Sequence, residues 1–174
     1  MILTGPEIQK QYEADRIDIE PFNLERVTTN SYDLALSDRV IKYTSAILDP
    51  RIKPTFEEMI IPQEGLLMNK GDFLLGCTKE RIGSDFFVPI IHGKSGTARM
   101  GLFVHVTADL IDIGSHGVST LQLFATLPLR LYANMVIAQV SFWKPLGDIK
   151  LYNGKYQGST GPRISETYKD FLDK

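Results

Sequence analysis

The chain has 174 residues, 43% hydrophobic and 23% charged, with a formal net charge of −2. That length fits one domain with a real core, and a near-neutral charge without any lysine or arginine cluster argues against a nucleic-acid binder held by a general basic surface. Cys77 is the only cysteine and the three histidines (His92, His105, His116) are scattered, which excludes an internal disulfide and leaves no set of structural zinc ligands. No apolar run approaches membrane-spanning length, and Met1-Ile2-Leu3-Thr4-Gly5 has neither the cationic region nor the apolar stretch of a secretory signal. A cytoplasmic protein in a reducing compartment is expected, with no membrane and no nucleic acid among its partners.

Thr4-Gly5-Pro6-Glu7 has capping-box spacing, with Ile8 and Tyr12 one turn apart, and predicts a short helix to about Asp15. The pattern then changes to period two, in Ile17/Ile19, Tyr32/Leu34/Leu36 and Ser119/Leu121/Leu123/Ala125. Further strands are predicted at 73–77, 87–91, 102–106, 129–131, 135–142 and 149–152, divided by turns such as Pro62-Gln63-Glu64-Gly65 and Asn69-Lys70-Gly71-Asp72. Residues 44–60, with Pro50 and Pro54, read as an irregular excursion. Short, numerous strands without alternating long helices predict a mainly β fold, an antiparallel barrel or sandwich. From Asn153 the chain turns glycine-rich, polar and cationic. Residues 1–152 therefore form the expected β domain, and 153–174 a flexible tail able to close over a ligand, with Ser165-Glu166 starting a short terminal helix that presents Tyr168 and Phe171/Leu172.

Two segments carry chemistry. Gly93-Lys94-Ser95-Gly96-Thr97-Ala98-Arg99-Met100-Gly101 follows an apolar run and combines free backbone N–H groups, hydroxyls and cations, which is what a phosphate ester requires. In Thr107-Ala108-Asp109-Leu110-Ile111-Asp112-Ile113-Gly114-Ser115-His116-Gly117, Asp112 stands before a glycine-bounded turn. It is either a turn-initiating residue or a carboxylate that holds a ribose hydroxyl and activates water. His105 is expected to pack within a strand and His116 to lie exposed in a turn. Phe142 and Trp143 are expected in the core or a subunit contact.

Tyr32-Asp33-Leu34 resembles the first dUTPase motif, the Gly93–Gly101 loop the second, Leu110-Ile111-Asp112 through Gly117 the third, Val136-Ile137-Ala138-Gln139 the fourth, and Gly158-Ser159-Thr160-Gly161 the C-terminal one. Together they resemble the dCTP deaminase/dUTPase superfamily over most of the chain. The resemblance implies a distorted β-barrel or jelly-roll protomer, a homotrimer with active sites between subunits, and a deoxypyrimidine nucleoside triphosphate substrate. Magnesium would be held through the substrate phosphates, with no direct protein ligand. It implies that Ser95 and Arg99 contact phosphates and the active-site water or base, with Lys94 and Gly96 in the same loop. Asp112 would bind the sugar 3′-hydroxyl or orient the water, and Gln139 would contact phosphate. Thr107 and Ala108 would line the nucleotide, and Lys155, Tyr156, Gln157, Ser159, Thr160 and Arg163 would form the tail over the triphosphate.

The superfamily divides between deamination of the cytosine base and hydrolysis of dUTP to dUMP and diphosphate. In the deaminase branch a glutamate ten residues after the aspartate takes a proton from water and delivers it to the ring and leaving ammonia. Here that position is Gln122, which cannot exchange a proton, a loss worth about 10²–10⁴-fold in rate. Lys94-Ser95-Gly96 also has the dUTPase form, where the deaminase branch has Arg-Ser-Ser. Val104-His105-Val106-Thr107-Ala108 and Gly154-Lys155-Tyr156-Gln157-Gly158 are deaminase-like. Hydrolysis of dUTP is the expected reaction. The alternatives are dCTP deamination and a nucleotide-binding regulator that has lost turnover.

Overall fold

A computed structural model describes residues 1–172, so Asp173 and Lys174 of the expected tail lie outside the described residues. The chain opens with helix α1 (Gly5–Glu13), then β1 (Asp18–Glu20), a 3-10 turn (Leu24–Arg26), β2 (Tyr32–Ala35) and β3 (Arg39–Tyr43). Next come β4 (Phe56–Ile60), β5 (Leu66–Met68), β6 (Phe73–Gly83) and β7 (Val88–Gly93). The short helix α2 (Ser95–Arg99) leads to β8 (Leu102–Phe103), β9 (His116–Ala125), β10 (Leu129–Leu131) and β11 (Val136–Trp143). A last 3-10 turn spans Thr167–Phe171. No helix among the described residues is long and apolar enough to cross a membrane.

The fold is mainly β and antiparallel, as expected, but its strands do not close into a barrel. The larger sheet runs β4-β3-β6-β9-β8, with β1 also paired to β6, a second runs β2-β11-β7, and β10 pairs with β5. Their facing sides share one core, where Tyr32, Leu34, Leu36, Ile91, Leu121, Leu123, Val140 and Phe142 are fully or nearly fully buried, as is Ile8 of α1. In β9 the alternation is plain: Leu121, Leu123 and Ala125 point inward, while Thr120, Gln122 and Phe124 stay half-exposed on the other face.

Local expectations differ in five places. Thr4 makes no side-chain cap bond, and the Glu7 carboxylate that would complete the box is engaged by Gln11, whose Nε2 donates to Glu7 Oε1 at 2.6 Å. The supposed excursion at 44–60 contains β4, paired antiparallel with β3 from Arg39↔Ile60 to Tyr43↔Phe56. As an outer strand it leaves four of its five residues exposed, so it lacks the apolar alternation that marks a strand. Residues 149–152 form no strand, and β8 stops at Phe103, well before the expected end. The phosphate-loop candidate contains the one-turn helix α2.

Candidate functional site

β6 and β9 pair with Phe73 opposite Phe124, Leu75 opposite Gln122 and Cys77 opposite Thr120. Directly opposed residues share a face, so the side of this sheet away from the core presents Phe73, Leu75, Thr120, Gln122 and Phe124 together. Over them opens a cavity of about 880 Å³. One wall is the segment after β8, including His105, Thr107, Ala108 and Asp112. This segment is fastened to β7 by Ile91 N–H donating to Asp109 O at 2.9 Å and Ile111 N–H donating to Pro89 O at 3.0 Å.

At Asp112 the turn is closed by the backbone: Ser115 N–H donates to the main-chain oxygen of Asp112 at 3.0 Å. No side-chain hydrogen bond or ion pair among the described residues engages the carboxylate, which stands exposed on the cavity wall. The role of a turn-closing side chain is therefore not the one it plays.

The other wall is the tail. Gly158 N–H donates to His116 O, Val118 N–H to Ser159 O (both 2.9 Å) and Arg163 N–H to Thr120 Oγ1 at 3.1 Å. Gln157 bridges the adjacent turn, its Nε2 donating to Gly114 O at 2.7 Å and its Oε1 accepting from His116 N–H at 2.8 Å. Ile164 buries itself against Ile41 and Leu75. Tyr156, Ser159 and Arg163 thereby reach the cavity. The tail cations are met by the tail's own acids: Lys155 Nζ donates to Asp170 at 2.7 Å, Lys169 Nζ donates to Glu166 Oε2 at 2.6 Å, and Arg163 pairs with the other Glu166 oxygen. Arg163 also lies over the Tyr156 ring, 5.8 Å from its centroid.

Of the residues assigned from sequence, Asp112, Gln122, Thr107, Ala108, Tyr156, Ser159 and Arg163 converge on this cavity. Lys155, Gln157 and Thr160 are on the tail but outside the lining. Ser95, Gly96, Arg99, Lys94 and Gln139 do not line it: Gln139 lies on β11 of the β2-β11-β7 sheet, and the others lie in α2 or at its N-terminal end, directly after β7. There Gln139 of β11 sits opposite Asp33 of β2 and His92 of β7, Lys94 Nζ donates to Asp33 Oδ1 at 2.6 Å, and Ser31 Oγ donates to Gln139 Oε1 at 2.8 Å. Ser95, Gly96 and Arg99 are exposed on α2 beside this group. A single chain thus carries two separate clusters of polar residues.

Two histidines depart from expectation. His105 is not in a strand: it lies past the end of β8 on the cavity wall, and its Nδ1 is buried with no hydrogen-bond partner among the described residues. Burial pushes its imidazole below the ordinary histidine range, against the opposing effects of Asp109 and the Gln122 carboxamide. The alternation Val104-His105-Val106 imitates a strand, which is why sequence reasoning passed over it. His116 is half-buried, with Nδ1 3.1 Å from Asp18 Oδ2 and Nε2 3.0 Å from Asp85 Oδ1.

A family model described as dCTP deaminase-like matches residues 2–145. The chain is 45% identical over 172 residues to a protein of Clostridium botulinum (strain Alaska E43) named "dCTP deaminase, dUMP-forming", covering 98% of this chain and 99% of that one. The chain belongs to the dCTP deaminase-like family. Another relative of the same name, from Cytophaga hutchinsonii, is 41% identical across 98% of this chain and 99% of its own length. Among solved structures, the 2′-deoxycytidine 5′-triphosphate deaminase of Agrobacterium tumefaciens superposes with a TM-score of 0.65 at 20% identity, over 81% of this chain. The chain spans only 47% of that solved chain, and the likeness there is one of fold. Within the dCTP deaminase-like fold, then, one cavity holds an unengaged aspartate on the segment after β8 and a glutamine on the β6–β9 face, beside the tail.

Proposed function

We propose that the protein hydrolyses a deoxypyrimidine nucleoside triphosphate, dUTP, to dUMP and diphosphate. The observation that carries this is the pair of side chains sharing the cavity: Asp112 is an unengaged carboxylate, and Gln122 is a carboxamide that cannot ionise. The relatives' name joins deamination of dCTP to formation of dUMP. With Gln122 at the position where the resemblance puts the proton-carrying glutamate, the phosphoanhydride half of that chemistry keeps its residues and the deaminating half loses its acid–base group.

In this reading Asp112 accepts a hydrogen bond from a water and aims it at the α-phosphorus. The water oxygen bonds to phosphorus as Asp112 takes its proton and passes it to solvent, the bond to the bridging oxygen breaks, and diphosphate leaves. Tyr156, Ser159 and Arg163 close over the phosphates, so that 153–174 acts as the cover. Arg163 stabilises the charge that develops on the phosphate oxygens. The second cluster, with Ser95, Arg99, Lys94 and Gln139, completes the site from a neighbouring subunit of a homotrimer. Magnesium, held through the substrate phosphates as the resemblance implies, would neutralise part of the triphosphate's charge.

Incubation with dUTP and with dCTP in the presence of magnesium, following diphosphate and ammonia separately, tests this. Diphosphate from dUTP without ammonia from dCTP supports it. Ammonia from dCTP at a comparable rate replaces it with the deaminase reading that the relatives' name favours, and tight binding with neither product replaces it with a regulator. Gln122→Glu is expected to raise ammonia release from dCTP.

A further inference from the structure

Where the tail crosses the larger sheet it follows one face of β3. Arg39, Ile41 and Tyr43 alternate along that strand and share the side that carries Leu75, away from the core. The tail meets them in the same order. Gly161 lies over the Arg39 guanidinium, where a Cβ would stand 2.8 Å from Arg39 Nη1. Ile164 packs with Ile41, and Ser165 N–H donates to the Tyr43 hydroxyl at 2.9 Å. On either side, Arg163 N–H donates to Thr120 Oγ1 at 3.1 Å and Glu166 N–H to the Tyr156 hydroxyl at 2.9 Å. Residues 163–166 are thus each held, and the charged side chain they carry to the cavity is that of Arg163.

We infer that Tyr43 is the latch of the tail: its hydroxyl holds the Ser165 amide and thereby sets where Arg163 stands at the cavity, which makes Tyr43 a positioning residue for the reaction. The latch belongs to the fold, and its effect on turnover rests on the nucleotide reading above. Tyr43 is half-buried, and its ring packs against Ile41, Leu75 and Ile164, so the hydroxyl is brought to Ser165 on a fixed support. Tyr43 and Ser165 line the main cavity and also a smaller one of about 200 Å³ between the β3–β4 connection and the tail, and so form part of the wall between the two. Among the described residues, the Arg163 guanidinium pairs with the tail's own Glu166 and lies over the tail's own Tyr156 ring. The body of the domain therefore directs this cation through the backbone of 163–165. Without the Tyr43 hydroxyl the Ser165 N–H loses its acceptor, and that short stretch is freed to open as a unit.

The test uses the full-length protein in two arms. Without nucleotide, exchange of the Arg163 amide, corrected for its intrinsic rate, is expected to quicken about fivefold in Tyr43→Phe, the scale of one hydrogen bond. Ser165→Pro, which removes the donor from the tail side and leaves β3 untouched, is expected to do the same. With dUTP and magnesium, Tyr43→Phe is expected to lower kcat about fivefold and to leave KM within about twofold, because Arg163 acts on charge that develops during the reaction. In an Arg163→Met background the same change is expected to have no further effect, since Tyr43 acts through Arg163. Unchanged exchange in either variant overturns the latch. Faster exchange with a wild-type kcat, a loss confined to KM, or losses that add in the double variant overturns the positioning role and keeps the latch. A wild type that turns over no dUTP overturns the nucleotide reading and the positioning role with it, and the exchange arm then decides the latch by itself.

Discussion

The backbone N–H of Val118 donates to the carbonyl of Ser159 at 2.9 Å, so the returning tail is hydrogen-bonded to the first residues of β9. Gly117, immediately before, makes this approach possible: a Cβ there would stand 2.7 Å from Ser159 N and 2.9 Å from Ser159 O, at a φ of 149°. Gly117→Ala is therefore expected to unseat the tail without disturbing the core. Trypsin should cut faster at Lys155 and Arg163, and the affinity for a triphosphate analogue should fall about tenfold, one interaction's worth on the binding scale. Unchanged protection of both sites would show that the tail is held by something other than this contact.

Among the described residues no side-chain bond engages the Asp112 carboxylate, so Asp112→Asn removes charge and little else. Its stability is expected to stay within about 0.5 kcal/mol of wild type, as for surface substitutions generally. Diphosphate release from dUTP should drop by about 10²-fold or more, the scale for losing a group that orients or deprotonates water. Thermal melting and steady-state diphosphate assays separate the two effects. A variant that melts normally and still turns over removes Asp112 from the reaction.

What was legible in the chain tracks where the physics is local. Period-two burial in Leu121, Leu123 and Ala125 announces β9 because one face of the strand is inside and the other is not. β4 could not be seen that way, since Phe56-Glu57-Glu58-Met59-Ile60 is mostly exposed and owes its strand state to pairing with β3. Asp112, Gln122 and the tail were found through motif resemblance, and the structure brings them to one cavity. The separation of Ser95, Arg99 and Gln139 from that cavity within one chain cannot be read from local pattern, because it depends on where α2 and β11 fall in the fold. His105 was missed because strand-like alternation says nothing about where the pairing stops.

Arg26, half-buried, forms an ion pair with Glu80. Glu80 is wholly buried and accepts from Ala35 N–H at 2.9 Å as well as from Arg26. Burial pushes its carboxyl up, and Ala35 and Arg26 oppose that push. Removing the cation strands an acid in the interior, so Arg26→Met is expected to cost about 3–5 kcal/mol in denaturant unfolding. Replacing both residues by Met is expected to recover part of the loss, because no uncompensated charge then remains while the buried Ala35 N–H loses its acceptor. A single Arg26→Met variant as stable as wild type would mean that Ala35 N–H and neutralisation suffice for Glu80.

Glu166 gives the tail a pH dependence of definite sign. Burial alone would raise its carboxyl, but hydrogen bonds from Lys169 and Arg163 outweigh burial and hold it below the usual range. A folded-state value lower than the unfolded one means that its contribution is complete above the ordinary glutamate range, about 4.3. That contribution disappears as the pH falls through the depressed folded value. Protection of the Val118 amide, which is bonded to Ser159, is therefore expected to drop on acidification below about pH 4 in wild type, after correction for intrinsic exchange. In Glu166→Gln that drop is expected to vanish and the amide to be less protected throughout. An acid-induced loss of equal size in the variant would assign it to other carboxylates, and the Glu166 cluster would then have no part in holding the tail.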